Sequence, residues 1–579
     1  MDLITALAEV GLMKRFFIKT CTVMLTAVFL ISSLLTELAL ASEPMASINQ
    51  TVLFSDVPAD SWAVNVIESA VQNGLMSGMG DGTFGYGSTI TRAQFVTILG
   101  NMFGWGNDDF LSASHGFRDV STDHWFFDAV ENAYKQGVIE HGDMFSPNAP
   151  ILRQDMAVML IKALGYSTLA EQVERFEANP FSDVDARIGY IIIAHDIGMI
   201  SGIGDGQFAP SNTATREQAA AMITRVYDRL NAPISWVHGF YAFGSFGQRN
   251  LIRDMDAVSF GWSQMEWDTE TGARLNTTAV GDNPWVIPSG YELIANFPRE
   301  NNATSHLNVF MDTTMNLDNM LANSNSRTQA VNAILYEATR IYTAIDRSPF
   351  DGVTINFEGL RDTAARSNFN AFLTELSHSL RLAGLTLFVT VHPATIDGIY
   401  FDGYDFRAIG QLADKVILMV HDYHPRSLEG FLGTQWQRHA ALTPISEVYR
   451  SLKAITDPIT GVEDRDKVVF AFSFPNIGWF VDENNNAISS SPISVSMETA
   501  AMRMSQADTY FGWSETHRNP YIIYTTENGD RVFLWFENSR SIYEKLKLSR
   551  LFGITRTSVW RMGIIPNENE WDVWENFLR

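Results

Sequence analysis

The chain has 579 residues, 46% apolar and 18% charged, which is enough for two or more cores rather than one. A net charge of −25 repels polyanions at long range and argues against nucleic-acid binding. The one cysteine, Cys21, lies inside an apolar N-terminal run, so a processed chain has no disulfide, no thiol nucleophile and no cysteine–metal site.

That run reads as a secretory signal over residues 1–41. Lys14, Arg15 and Lys19 precede an apolar stretch from Cys21 to Leu35, and Ala39-Leu40-Ala41 offers a cleavage site. The alternative is an uncleaved anchor, but the stretch is shorter than the roughly 20 residues a spanning helix needs. Met13, just ahead of the basic residues, is an alternative start to Met1. No later segment is long and apolar enough to span a membrane, so an exported chain without a span is expected.

Three copies of one pattern follow, at 50–108, 113–170 and 177–231, with a period of about 63 residues. Phe54-Ser-Asp56-Val, Phe117-Arg-Asp119-Val and Phe181-Ser-Asp183-Val open them. Each then has an apolar helical stretch, a glycine-rich turn ending in Phe84, Phe145 or Phe208, and an arginine eight residues later: Arg92, Arg153 and Arg216. Thr91 with Gln94, and Thr215 with Gln218, form capping-box patterns, so the arginines should open second helices and each copy should be a helix–loop–helix unit. These motifs, with Trp62 and Trp125, resemble S-layer homology (SLH) domains. The resemblance implies a mostly α-helical three-repeat assembly at the cell surface that binds secondary cell-wall polysaccharide through Arg92, Arg153 and Arg216. A guanidinium at a helix start suits a carboxylate ligand; the alternative is an intramolecular partner for each arginine. Copy two lacks the threonine before Arg153, and copy three has Gly189-Tyr190 in place of the tryptophan.

From residue 235 to 579, short β runs alternate with helical stretches. Eight strands are expected at 236–243, 257–262, 292–297, 352–358, 385–391, 415–420, 468–474 and 557–562, with helices such as 326–343 and 367–383 between them. This α/β pattern predicts a (β/α)8 barrel with its chemistry at the strand C-termini.

Asp351-Gly-Val-Thr354-Ile-Asn356-Phe-Glu358 is the most informative segment. Strand alternation turns Val353, Ile355 and Phe357 outward and Thr354, Asn356 and Glu358 inward, with Glu358 at the rim, where burial would make it a general acid. The segment resembles the motif of family 18 glycoside hydrolases, particularly peptidoglycan and spore-cortex-lytic members. Phe240-Tyr241, His421-Asp422, Trp535-Phe-Glu537 and Val559-Trp560-Arg561 extend the resemblance.

What the resemblance implies is retaining, substrate-assisted hydrolysis of β-linked N-acetylglucosamine glycans, peptidoglycan or chitin-like. Glu358 would be the acid/base, and Asp351 and Asp422 would belong to the catalytic set. Asn356 would take the place of an aspartate that orients the acetamido N–H. His421 would take the place of a tyrosine that bonds its carbonyl. Trp560 would floor the sugar site, beside Tyr241 and Glu537. No cofactor or metal is implied. The departures at Asn356 and His421 leave a second reading open, a glycan-binding surface protein with weak or no catalysis, because an amide lacks the charge that stabilises an oxazolinium.

Overall fold

The computed structural model describes residues 54–106, 114–281, 283–396, 402–566 and 572–578, so the signal segment lies outside the described residues. Two compact units are present. One takes in the opening of the first repeat through Glu68 together with Ser77–Tyr86; the other holds Ser69–Met76 and everything from Gly87.

The repeated Phe-x-Asp-Val motif has a direct physical reading. In the first unit the Asp56 carboxylate accepts the N–H groups of Phe84, Gly85 and Tyr86 at 2.7, 2.7 and 2.8 Å. In the second unit Asp119 does the same for Phe145 and Ser146, and Asp183 for Phe208 and Ala209. The motif phenylalanine packs on the turn phenylalanine in each copy, at 5.5, 5.6 and 5.3 Å. The second helices run over Arg92–Phe103, Arg153–Ala163 and Arg216–Leu230. Thr91 and Thr215 close complete capping boxes, whereas Leu152 makes no side-chain cap. The segments leading into these helices pair as a ring, with bridges Thr91–Pro150, Leu152–Thr213 and Thr89–Thr215.

The barrel begins directly after the third repeat. Its strands are β1 (Trp236–Tyr241), β2 (Ala257–Asp268), β4 (Thr304–Asp312), β5 (Gly352–Glu358), β6 (Thr386–Val391), β7 (Lys415–Met419), β8 (Val468–Ser473) and β14 (Arg556–Trp560), with β3 (Gly272–Asn276) as a hairpin on β2. All eight barrel strands pair in parallel, and β1 bonds both β14 and β2, which closes the ring.

One strand lies elsewhere than expected. Residues 292–297 form the short helices Glu292–Ala295 and Phe297–Glu300, and the third barrel strand is β4. Polar residues at 306 and 308, both buried in the barrel, hid β4 from a search for apolar runs. Between β8 and the Ser539–Leu551 helix the chain also inserts an antiparallel sheet, not anticipated from the sequence. Its strands are β9 (Ile477–Val481), β10 (Ile493–Ser494), β11 (Tyr510–Ser514), β12 (Asn519–Thr525) and β13 (Arg531–Trp535), in the order β10-β9-β13-β12-β11. Fully buried Trp479, Phe533 and Trp535 give it a core of its own.

Candidate active site

Alternation along β5 builds the site. Val353, Ile355 and Phe357 face outward and are fully buried, with Phe357 stacked on Phe372 of the Thr363–Leu382 helix. Thr354 and Asn356 face inward. Thr354 bonds Ser259 of β2 at 2.7 Å, and the Asn356 carbonyl oxygen accepts the Thr390 hydroxyl of β6 at 2.6 Å. Glu358 ends the strand, in register with Asp312 of β4. The chain leaves at once through Gly359 (φ 84°), where a Cβ would lie 2.6 Å from the Thr313 hydroxyl.

The electrostatics suit an acid. Burial pushes Glu358 up to about 7, helped by Asp422 and Asp312 and opposed by His421 and an Asn356 hydrogen bond. Burial likewise depresses His392, to about 4, so its ring is neutral, and its Nε2 accepts the Gly359 N–H at 3.3 Å. His421 Nδ1 and Asp422 Oδ2 are 2.9 Å apart. Packing on one side raises Asp422, whose side chain is half exposed, but His421 and His424 outweigh it and hold the carboxylate below its usual range. An ionised carboxylate only accepts, so His421 carries its proton on Nδ1. Trp560, Trp285 and Phe310 form an aromatic wall at the same rim, with centroids 5.8 and 4.6 Å apart in sequence.

Three expected site residues lie elsewhere. Asp351 precedes β5 at the opposite end, roughly 23 Å of extended chain from Glu358; it pairs with Arg299 at 2.8 Å and accepts the Ser305 N–H. Tyr241 faces out of the barrel onto Phe260 and Trp262, and its neighbour Phe240 faces in, 5.1 Å from Trp560. Glu537 is buried, held by Lys545 at 2.6 Å and by Asn519 and Ser541. Sequence reasoning missed Trp285, Phe310, Thr390 and His392. The last two could have been found by taking inward positions along β6 and the residue just past its end; Trp285 lies in an irregular stretch with no periodic signal.

The sequence model of glycosyl hydrolases family 18 matches residues 265–563, more than half of the chain. The chain belongs to this family. The S-layer homology domain matches at 53–96, 116–157 and 180–220. The exoglucanase XynX of Acetivibrio thermocellus is 30% identical over 200 residues, covering 34% of this chain and 18% of that protein. The cortical fragment-lytic enzyme of Bacillus subtilis (strain 168) is 25% identical over 226 residues, 38% of this chain and 49% of that enzyme. The chain thus spans about half or less of the length of these curated relatives. The crystal structure of the Bacillus cereus spore cortex-lytic enzyme SleL aligns at a TM-score of 0.43 and 18% identity, over 59% of this chain and 73% of that one.

The SLH arginines are tied inside the assembly. Arg92 donates from Nε to the Phe145 carbonyl at 2.9 Å, stacks on that ring at 5.0 Å and pairs with Asp155 at 3.3 Å. Arg153 repeats this on Phe208, at 3.1 and 4.9 Å, and adds a bond to the Ser201 carbonyl. Arg216 is buried, and its backbone N–H bonds Ser88. Beside Arg92 lies a groove of about 230 Å³ lined also by His141, Phe145, Lys162 and Arg187. Lys162 and Arg187 are cations of this groove that the repeat pattern did not single out.

Proposed function

We propose that the chain is a cell-wall-anchored glycosidase that cleaves β-linked N-acetylglucosamine glycans, peptidoglycan before chitin, by substrate-assisted retaining hydrolysis. The observation that carries this reading is Glu358 at the strand rim, with burial pushing its carboxyl up to about 7. A carboxyl protonated near neutrality can give its proton to a glycosidic oxygen, and Trp560 with Trp285 offers the sugar a ring to stack on. In this reading the substrate's 2-acetamido oxygen attacks C1, so no second protein carboxylate is required as nucleophile. The SLH repeats engage secondary wall polysaccharide through the groove at Arg92 and its equivalents at Arg153 and Arg216. Such tethering raises the local concentration of wall substrate.

A second reading, a non-catalytic glycan-binding surface protein, is favoured by Asn356, a neutral amide whose oxygen is engaged by Thr390. Incubating the purified protein with peptidoglycan and with chitin oligosaccharides, and analysing the products, separates the two. Reducing-end release that Glu358→Gln abolishes supports the enzyme; measurable sugar binding without any release supports the binder.

A further inference from the structure

The site holds a neutral amide where a proton acceptor is called for, and nearby an acceptor with nothing to accept. Asn356 carries no charge and takes up no proton, and its carbonyl is bonded by Thr390 at 2.6 Å. In the neutral tautomer that donates Nδ1–H to Asp422 at 2.9 Å, His421 bears its lone pair on Nε2. That Nε2 is buried and has no hydrogen-bond partner among the described residues. A desolvated acceptor left unmade is costly, and the cost is recovered only when a donor arrives. Asp422 sits at φ 62°, a left-handed conformation that aspartate tolerates, and it holds its carboxylate against the His421 ring.

We propose that the His421–Asp422 pair is the acceptor for the substrate's acetamido N–H, taking the part that the family resemblance gives to residue 356. This rests on the substrate-assisted reading above. A neutral imidazole with its lone pair on Nε2 cannot donate to the acetamido carbonyl as a tyrosine hydroxyl does; it can only accept.

The chemistry balances. The acetamido oxygen forms a bond to C1 while the C1–O glycosidic bond breaks, and the leaving oxygen keeps the electron pair and takes the Glu358 proton. The amide N–H proton passes to His421 Nε2. The products of this step are a neutral oxazoline, an ionised Glu358 and an imidazolium paired with Asp422. Water then adds to C1, giving one proton to Glu358, while His421 returns its proton to the oxazoline nitrogen as the ring opens. Because the intermediate forms neutral, residue 356 needs no negative charge.

The groups that act on this pair are Glu358 from β5, His392 from the end of β6, and His424 on the pair's own loop. Burial keeps His392 neutral, so within this set the imidazolium formed in the step is balanced by Asp422 and Glu358.

The test is a two-by-two set at positions 356 and 421 in the full chain, assayed on chitin oligosaccharides. His421→Tyr alone should lower kcat at least 100-fold, and adding Asn356→Asp should restore at least 10-fold of that loss. His421→Tyr within threefold of wild type, or no rescue by Asn356→Asp in a folded double variant, overturns the proposal. If the wild type cleaves nothing, the glycosidase reading fails, and calorimetry still tests the pair. In that case His421→Phe should abolish the preference for N-acetylated over deacetylated oligosaccharides, and an unchanged preference overturns the assignment.

Discussion

A carboxyl whose folded value lies near 7 destabilises the folded chain once it ionises. Glu358 starts from 4.5, so below that pH both states are protonated and nothing is lost. Between 4.5 and about 7 the unfolded chain releases its proton more readily, and stability falls; above 7 the full cost, about 3 kcal/mol, is present. Glu358→Gln should therefore be more stable than wild type at pH 8 by up to that amount, with no such gain at pH 4, as urea unfolding at the two pH values would show. Equal effects at both would remove burial as the cause of the raised value. In the same variant kcat should drop by about 10² to 10⁴ while sugar affinity stays near wild type. The wild-type rate should decline above about pH 7, as the acid loses its proton.

At the scale of the element, the repeated aspartate and the repeated arginine do different work. Asp119 satisfies two backbone N–H groups of the turn that carries Phe145, so Asp119→Ala should cost roughly 2–4 kcal/mol, read as a lower midpoint in thermal unfolding. Arg92 is a stitch between repeats as well as a groove cation, so Arg92→Ala should lose both wall pelleting and thermal stability. Arg216→Ala should weaken pelleting in the same assay. Lys162→Ala with Arg187→Ala is the cleaner probe, because their pairs with Glu140 and Asp155 are partly solvated and contribute little. That double variant should pellet with purified walls about tenfold more weakly at an unchanged melting temperature. Undiminished pelleting would take the groove out of wall binding.

At the scale of the molecule, the third repeat and the barrel belong to one compact unit. Glu177 pairs with Arg450 at 2.6 Å and Lys453 at 2.8 Å, and Asp196 accepts the Tyr449 hydroxyl. Arg229 reaches the Leu551 carbonyl, and the Ser235 N–H bonds the Thr555 carbonyl at 2.9 Å. Asn231 and Ala232 bond back to Tyr227 and Arg229 and Ser235 bonds the barrel, so the junction is tied at both ends. A fragment from Trp236 uncovers Tyr449, which is fully buried in the chain, and leaves Arg450 and Lys453 without their partners. It should melt several degrees below residues 42–579, and proteinase K, which needs no basic residue, should spare 231–235 in the longer protein. An equal melting temperature would show that the contacts contribute nothing.

The sequence by itself determined the repeat period, the capped second helices, the barrel class and the position of Glu358, because each is written in local spacing: a fixed Phe-to-Arg interval, a capping box, and strict alternation along one strand. It missed β4, whose inward His306 and Asn308 break the apolar run that marks a strand, and it placed Tyr241 at the sugar site although Phe240 is the inward residue, where a shift of one residue exchanges inside for outside. Tertiary structure alone decided the rest. Asp351 and Glu358 share a motif but sit at opposite ends of a strand, and only closure of the ring makes one end a site. Glu537 reads as a rim carboxylate until Lys545, eight residues on, is seen to close on it. The aromatic wall joins Trp285, Phe310 and Trp560, from three distant parts of the chain, and no local pattern records a contact made only when β14 comes back beside β1.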